Sequence, residues 1–303
     1  MAILAASVAL GCGGVARAAL AAAASSTIGR SEQIVELLDL TGVLASASAT
    51  SEQVTGRLRS ANPEIPPETW TRYAALVSDR ATLVALYTPI YARHLSDEDI
   101  AGLLVFYRSP VGSHLREALP KIAAESQVAS QQLVGRIALE LSDDENRESQ
   151  TPLHALPSPA KSARTAEVET LLRESGTLAQ AQSAMRSMLD RLREGAAGQD
   201  LPPSFWQRAA SRLTDDSTLL QLWTPFYVAH FPAADVHALI AFYRSRVGVD
   251  YVQAQAAIQD ESVAAVTTLS NTSARQAVRE TLGPLPQWRL QHPPSTKEGT
   301  QSR

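Results

Sequence analysis

Polar residues that can carry out acid–base chemistry recur in the same order in two parts of the chain. Tyr91 and His94 lie one helical turn apart, and an acid, a second tyrosine, an arginine and a glycine follow them. The first set is Tyr91, His94, Asp99, Tyr107, Arg108 and Gly112, and the second is Tyr227, His230, Asp235, Tyr243, Arg244 and Gly248. A histidine and a tyrosine can act as base and acid, and an arginine can bind an anion.

The same residue types also have a structural interpretation, which the sequence favours. A histidine or tyrosine at the edge of an apolar stripe presents its polar tip at a helix end. An arginine in the last turn of a helix complements the helix dipole and pairs with a nearby acid or carbonyl. We therefore expect these sets to hold helices together, and we predict no catalytic residue.

Other kinds of chemistry are largely excluded, because the residues and motifs that their sites need do not occur in the sequence. The six histidines form no HExxH motif, and Cys12 is the only cysteine, so a zinc cluster is not expected. No phosphate-binding loop, nucleotide fingerprint or GxSxG elbow occurs. The net charge is −4 and the basic residues are scattered, which argues against nucleic acid as a partner. We predict no cofactor and no metal.

The two polar sets belong to a long internal repeat. LYTPIYARHLSDEDIAGLLVFYRSPVG (residues 86–112) aligns without gaps to LWTPFYVAHFPAADVHALIAFYRSRVG (residues 222–248), and 13 of the 27 positions are identical. The offset of 136 becomes 134 near the start of each copy, where LLDLTG matches LLRESG. Because each copy exceeds a hundred residues, the repeat indicates a duplicated domain.

Each copy is predicted to consist of helices throughout. Alanine is abundant and only 5% of residues are aromatic, a composition typical of closely packed helices. We expect helices over about 31–40 and 50–60, and a third helix that begins at Pro67. Prolines 89 and 225 should kink or split the next helix, and Pro120 should bend the last one. Ser96 should cap the helix that leads into FYRSPVG, a corner between two antiparallel helices.

The fold class predicted is all-α, with two tandem helical bundles of about five to six helices each, joined by a Pro/Ser-rich linker. The predicted boundaries are a leader over 1–24, domains over 29–141 and 165–282, a linker over 142–164 and a disordered tail over 283–303. The leader is short, apolar and broken by glycines, which is typical of an export signal. Cleavage next to Ala18 and lipidation of Cys12 both fit it.

The motifs resemble a known family. Tyr-x-x-His, an acidic helix start, Phe-Tyr-Arg-Ser-Pro-Val-Gly, Leu-Pro and Glu-Ser together resemble the bacterial domain-of-unknown-function family 2059. In the first copy the match is carried by Tyr91, His94, residues 106–112, Leu119, Pro120, Glu125 and Ser126; in the second by Tyr227, His230, residues 242–245, Val247, Gly248, Glu261 and Ser262. The second copy departs from the pattern with Arg246 in place of proline. The resemblance implies an all-helical, exported bacterial module and assigns no reaction.

These observations favour a non-enzymatic interaction or scaffold module of the cell envelope, periplasmic or secreted. Its expected partners are an unknown envelope protein and the other domain of the same chain, with membrane contact only through a lipid on Cys12. One alternative is a hydrophobic small-molecule or lipid binder, with a pocket between the helices kinked at Pro89 and Pro225. A hydrolase that uses His94 or His230 is the second alternative.

Overall fold

The computed structural model describes residues 29–146, 162–195 and 201–283. These residues form twelve α-helices and no strand, which confirms the all-α prediction, with six helices in each repeat. The helices are α1 Arg30–Leu40, α2 Val43–Ala61, α3 Pro67–Val77, α4 Arg80–His94, α5 Asp97–Tyr107, α6 Pro110–Asn146, α7 Ala163–Glu174, α8 Thr177–Glu194, α9 Pro203–Leu213, α10 Asp216–His230, α11 Ala233–Tyr243 and α12 Arg246–Leu282. The predicted leader, most of the linker and nearly all of the tail lie outside the described residues.

Local signals in the sequence account for most helix boundaries. Gly42 separates α1 from α2 with a φ of +71°, a conformation that side chains rarely adopt. Pro67 occupies the first turn of α3, where its missing N–H costs nothing. Ser96 and Asp99 form the predicted capping box at the start of α5. The helix α2 begins at Val43, well before the predicted residue 50.

The prolines inside helices do not split them. Pro89 lies within α4, Pro225 within α10 and Pro120 within α6, and each helix continues on both sides of its proline. A proline removes one backbone donor, but the adjoining turns retain theirs. Of the two outcomes predicted for Pro89 and Pro225, a kink or a split, the split does not occur, and the kink stays a prediction.

The described residues fall into two compact units that do not follow the repeat. The larger unit contains the residues up to Val43 together with Tyr91–Ile258, and the smaller unit contains Leu44–Ile90 with the residues from Gln259 onward. Helices of both repeats therefore occur in each unit. The predicted domain boundaries, 29–141 and 165–282, describe the two copies in the sequence and stay a prediction.

In the larger unit, the last helix of the first repeat packs on the second repeat. Leu133, Ile137 and Leu141 of α6 recur every four residues, so they lie along one face of that helix. They form a buried apolar cluster with side chains of α8 and α9: Leu189, Phe205, Ala209 and Leu213. The end of α6 is therefore buried by helices of the other copy.

The smaller unit contains a corresponding cluster. Tyr73 and Val77 of α3 pack against Ala277 of α12, with Trp70 at the edge. Each of these residues has its counterpart in the larger unit at the offset of 136, for example Tyr73 with Ala209 and Leu141 with Ala277. Each repeat thus supplies the end of its last helix to the third helix of the other repeat.

Among the described residues, no single helix is both long enough and apolar enough to cross a membrane; α1 and α2, a bent pair, meet that standard only when taken together, by length and composition.

Candidate functional site

The FYRSPVG corner joins α5 to α6 by a close approach of two backbones. The Ser109 hydroxyl accepts a hydrogen bond from the Gly112 N–H at 3.1 Å, as expected of an N-cap. A Cβ placed on Gly112 would lie 2.3 Å from the carbonyl oxygen of Phe106. At Gly248, in the second repeat, the corresponding distance to the Phe242 oxygen is 2.1 Å. Only glycine fits this corner without moving the backbone.

The arginine of each corner pairs with the first helix of its own repeat. Arg108 donates from Nε and Nη2 to the two carboxylate oxygens of Glu36, at 2.8 and 2.6 Å. Arg244 donates from the same two nitrogens to Glu174, at 3.0 and 2.8 Å. Both arginine side chains are about half exposed. These pairs hold the corner against the start of the repeat.

Asp99 is a buried acid between two helix ends. It caps α5 by accepting a hydrogen bond from the Ser96 N–H at 3.0 Å. Its other oxygen accepts from Nη1 of Arg246, at 3.2 Å, in the second repeat. Arg246 also pairs with Glu98 at 2.9 Å and with Asp250 at 2.7 Å. One cation therefore neutralises acids from both repeats.

Two histidines make contacts from one repeat to the other within the larger unit. His230 Nε2 lies 3.0 and 3.1 Å from the two carboxylate oxygens of Glu125 on α6. His114 on α6 contacts the carboxylate of Asp235 through Nδ1, and its ring centroid lies 5.4 Å from that of Phe231. Asp235 therefore has a partner that was not recognised in the sequence, because His114 lies outside both polar sets.

The tyrosines of the two sets are buried side chains of the helix core. Tyr91, Tyr107, Tyr227 and Tyr243 are each at most 5% exposed. Burial raises the pKa of the neighbouring Tyr251 phenol well above its usual value, and the Tyr107 hydroxyl raises it further. The Tyr251 phenol is therefore protonated near neutral pH. Beside them, the rings of Phe106 and Phe242 stack with centroids 5.1 Å apart.

The sequence interpretation missed an arginine that clamps each repeat. Arg30 donates from Nη2 to the carbonyls of Ala92 and Leu95 at the end of α4, at 3.1 and 2.8 Å. Arg164 does the same for the carbonyls of Val228 and Phe231 at the end of α10, at 2.7 and 2.6 Å. Helix ends leave carbonyls without intrahelical partners, and an arginine satisfies them well. The offset of 134 pairs Arg30 with Arg164, so the signal was present in the sequence.

The arrangement as a whole supplies contacts between helices. The arginines, Asp99, Asp235 and His230 each meet a partner on another helix, and His94 is half-buried near the end of α4. In the part of the chain that the structure describes, no three histidine, cysteine or acidic side chains could together hold a metal ion. The structural role predicted for the two sets stays a prediction, and these contacts support it.

A surface cavity of about 570 Å³ lies between α8 and α9. Its lining is Arg186, Leu189, Asp190, Arg193, Leu201, Pro203, Trp206, Gln207 and Ala210. None of these residues belongs to α10, so this cavity differs from the pocket expected at Pro225. Its lining combines apolar side chains with two arginines and Asp190, which pairs with Arg193 at 3.1 Å.

Comparison with protein families gave one match, to the model described as "Uncharacterized protein conserved in bacteria (DUF2059)". It covers residues 81–140 and 217–270, one segment in each repeat. The match confirms the resemblance predicted from the motifs, including its occurrence in two copies. Neither the curated proteins nor the solved structures gave a significant match.

Proposed function

We propose that the chain, which matches the DUF2059 model in two segments, is a non-enzymatic interaction or scaffold module of the bacterial cell envelope. One observation carries this proposal: the side chains best suited to chemistry are engaged in holding helices together. Arg108 pairs with Glu36, and His230 pairs with Glu125 on a different helix. A catalytic base, acid and anion clamp need a shared opening around a substrate, whereas these contacts are distributed along helix junctions.

The placement in the envelope is supported by the start of the sequence. The first residues are small and apolar, and glycines interrupt them before they reach the length of a membrane span. Cys12 follows Ala-Leu-Gly, which is similar to a lipoprotein signal. We propose export, with Cys12 as the lipid attachment point or with cleavage next to Ala18.

Fractionation and crosslinking test the location and the scaffold role together. The full-length chain should be recovered from the envelope and should crosslink reproducibly to the same envelope proteins. A Cys12→Ser variant should lose membrane association if the cysteine carries the lipid, and should be unchanged if cleavage occurs next to Ala18. Recovery from the cytosol, or crosslinking to no consistent partner, would contradict the proposal.

The hydrolase alternative is tested by the histidines. His94→Gln and His230→Gln keep the size of the side chain but remove its basicity. Under the structural interpretation both variants lower the free energy of unfolding and leave every binding function of the folded protein intact. A hydrolytic activity that both substitutions abolish in a fully folded protein would favour the enzyme.

The cavity between α8 and α9 favours a second candidate function, binding of an amphipathic anion. Trp206 and Leu189 provide apolar surface, and Arg186 provides the positive charge, because Arg193 in the same lining already pairs with Asp190 at 3.1 Å. Native mass spectrometry of protein purified from its host should then show a retained ligand that Arg186→Ala weakens. A spectrum without a bound ligand would contradict this second function, and the scaffold proposal would then be the one that remains.

A further inference from the structure

The surface formed by α8 and α9 is a groove for a helix. Leu189 of α8 and Phe205 and Leu213 of α9 receive the apolar face of α6, which consists of Leu133, Ile137 and Leu141. Apolar residues at every fourth position, inserted between two helices, are the usual pattern by which a groove recognises an amphipathic helix. The helix comes from the first repeat and the groove from the second.

The smaller unit contains the reciprocal contact. There α3 of the first repeat receives α12 of the second, and polar bonds reinforce the apolar contact with Ala277. The hydroxyls of Tyr73 and Ser270 share a hydrogen bond of 2.6 Å, and those of Thr69 and Thr281 share one of 2.7 Å. The partner helix is therefore fixed in register along about three turns.

Charge is arranged alike at the two contacts. Arg212 of α9 lies 3.3 Å from Glu140 of α6, and Arg72 of α3 pairs with Glu280 of α12. In both cases the arginine belongs to the third helix of a repeat and the acid to the last helix of the other repeat. The two pairs lie four residues, about one helical turn, apart when the repeats are aligned, but each places opposite charges between the same two kinds of helix. Such pairs favour one orientation and one partner over others.

We propose that each repeat binds another repeat of the same fold. The two copies form a non-covalent complex by exchanging their last helices. Residues 147–161 then raise the effective concentration of one copy near the other without holding the complex together. This inference rests on the proposed function only because it treats the repeats as interaction modules. It adds that the partner of one repeat is the other repeat.

The test cuts the full-length folded chain between the repeats. A protease site is placed within residues 147–161, the purified protein is cleaved, and its mass is measured by size-exclusion chromatography with light scattering at micromolar concentration. The two fragments should elute together with the mass of the uncut chain, and should separate only in denaturant. Separate elution of two folded monomers under native conditions would overturn the proposal.

Substitutions in α6 identify the surface responsible. Ile137 is 6% exposed and faces the groove, whereas Leu139, two positions away, is 71% exposed. In the cleaved protein, Ile137→Asp should cause the fragments to separate and Leu139→Asp should leave them together. Ile137→Ala, a milder change, should raise the dissociation constant of the cleaved complex at least about tenfold. Equal behaviour of the Ile137 and Leu139 variants would show that the groove is not the interface.

This result is independent of the envelope experiments. Fragments that stay together, in a protein that crosslinks to no envelope partner, would support the helix exchange and refute the scaffold role. Fragments that separate, in a protein with consistent envelope partners, would do the reverse.

Discussion

Replacing Gly112 with alanine tests whether the corner between α5 and α6 depends on the contact of two backbones. The added Cβ would lie 2.3 Å from the Phe106 carbonyl oxygen and 2.8 Å from the Tyr107 Cα. Both are backbone atoms, so no side-chain rotation relieves the overlap. The helices must move apart, and the buried Tyr107 and Leu115 then lose part of their packing.

Two opposing effects set the magnitude. Alanine is favoured over glycine inside a helix by about 1 kcal/mol. Overpacking of a close contact costs about 1–3 kcal/mol, and the upper end applies where backbone must move. We therefore expect Gly112→Ala to lower the free energy of unfolding by about 2 kcal/mol.

Gly135 provides a matched control in the same helix. A Cβ at Gly135 meets no atom within 4 Å, so Gly135→Ala should gain about 1 kcal/mol from helix propensity alone. The two variants should differ by about 3 kcal/mol in urea unfolding followed by circular dichroism. If Gly112→Ala is as stable as Gly135→Ala, the corner does not depend on this contact.

Three further experiments test other contacts. Arg164→Ala should destabilise the protein by about 1–2 kcal/mol in urea, because the carbonyls of Val228 and Phe231 at the end of α10 lose a charged donor. Asp215→Ala removes the N-cap of α10 and should cost about 1 kcal/mol at pH 7. Hydrogen bonds from Ser217 and Thr218 lower the pKa of Asp215 in the folded protein. Its contribution to the free energy of unfolding is therefore present above the unfolded-state pKa and disappears as the pH falls below about 4. Below that pH the variant and the natural protein should have the same free energy of unfolding. Arg246→Pro should lower the melting temperature, and adding Asp250→His should restore part of it. A double variant less stable than Arg246→Pro alone would refute the idea that the residues at these two positions compensate each other.

Much of the helical content could be predicted from sequence because its determinants are local. Gly42, Pro67, the Ser96–Asp99 box and the Ser109–Pro110 start each act within one or two turns, and the structure places a helix boundary at every one. The early start of α2 was missed because Ala and Ser alternate there without a clear apolar period.

The contacts of the polar residues could be predicted only in part, because they join elements distant in sequence. Arg108 and Arg244 align in the repeat, but their acids do not. Glu36 aligns with Thr170, and Glu174 lies one turn further along the first helix of its repeat. Either turn brings a carboxylate within reach of a long arginine side chain. A repeat alignment therefore identifies the cation and not its partner.

The sequence repeat also did not predict the exchange of last helices. A periodic apolar face such as that of α6 predicts burial, but it does not say which copy buries it, because the third helix of each copy carries apolar residues at matching positions, such as Val77 and Leu213. Loop-closure entropy grows slowly with chain length, so the contact within a copy has little advantage over the contact between copies.

The departure of the second repeat from the family pattern has a physical explanation in these contacts. The first repeat has Pro110 and His114 where the second has Arg246 and Asp250. His114 pairs with the acid Asp235 of the other repeat, whereas Asp250 by itself would add a second negative charge beside Asp99. Arg246 supplies the cation between those two acids, as His114 supplies a donor to Asp235. The two differences therefore compensate each other, and both versions of the corner retain an attraction between the repeats.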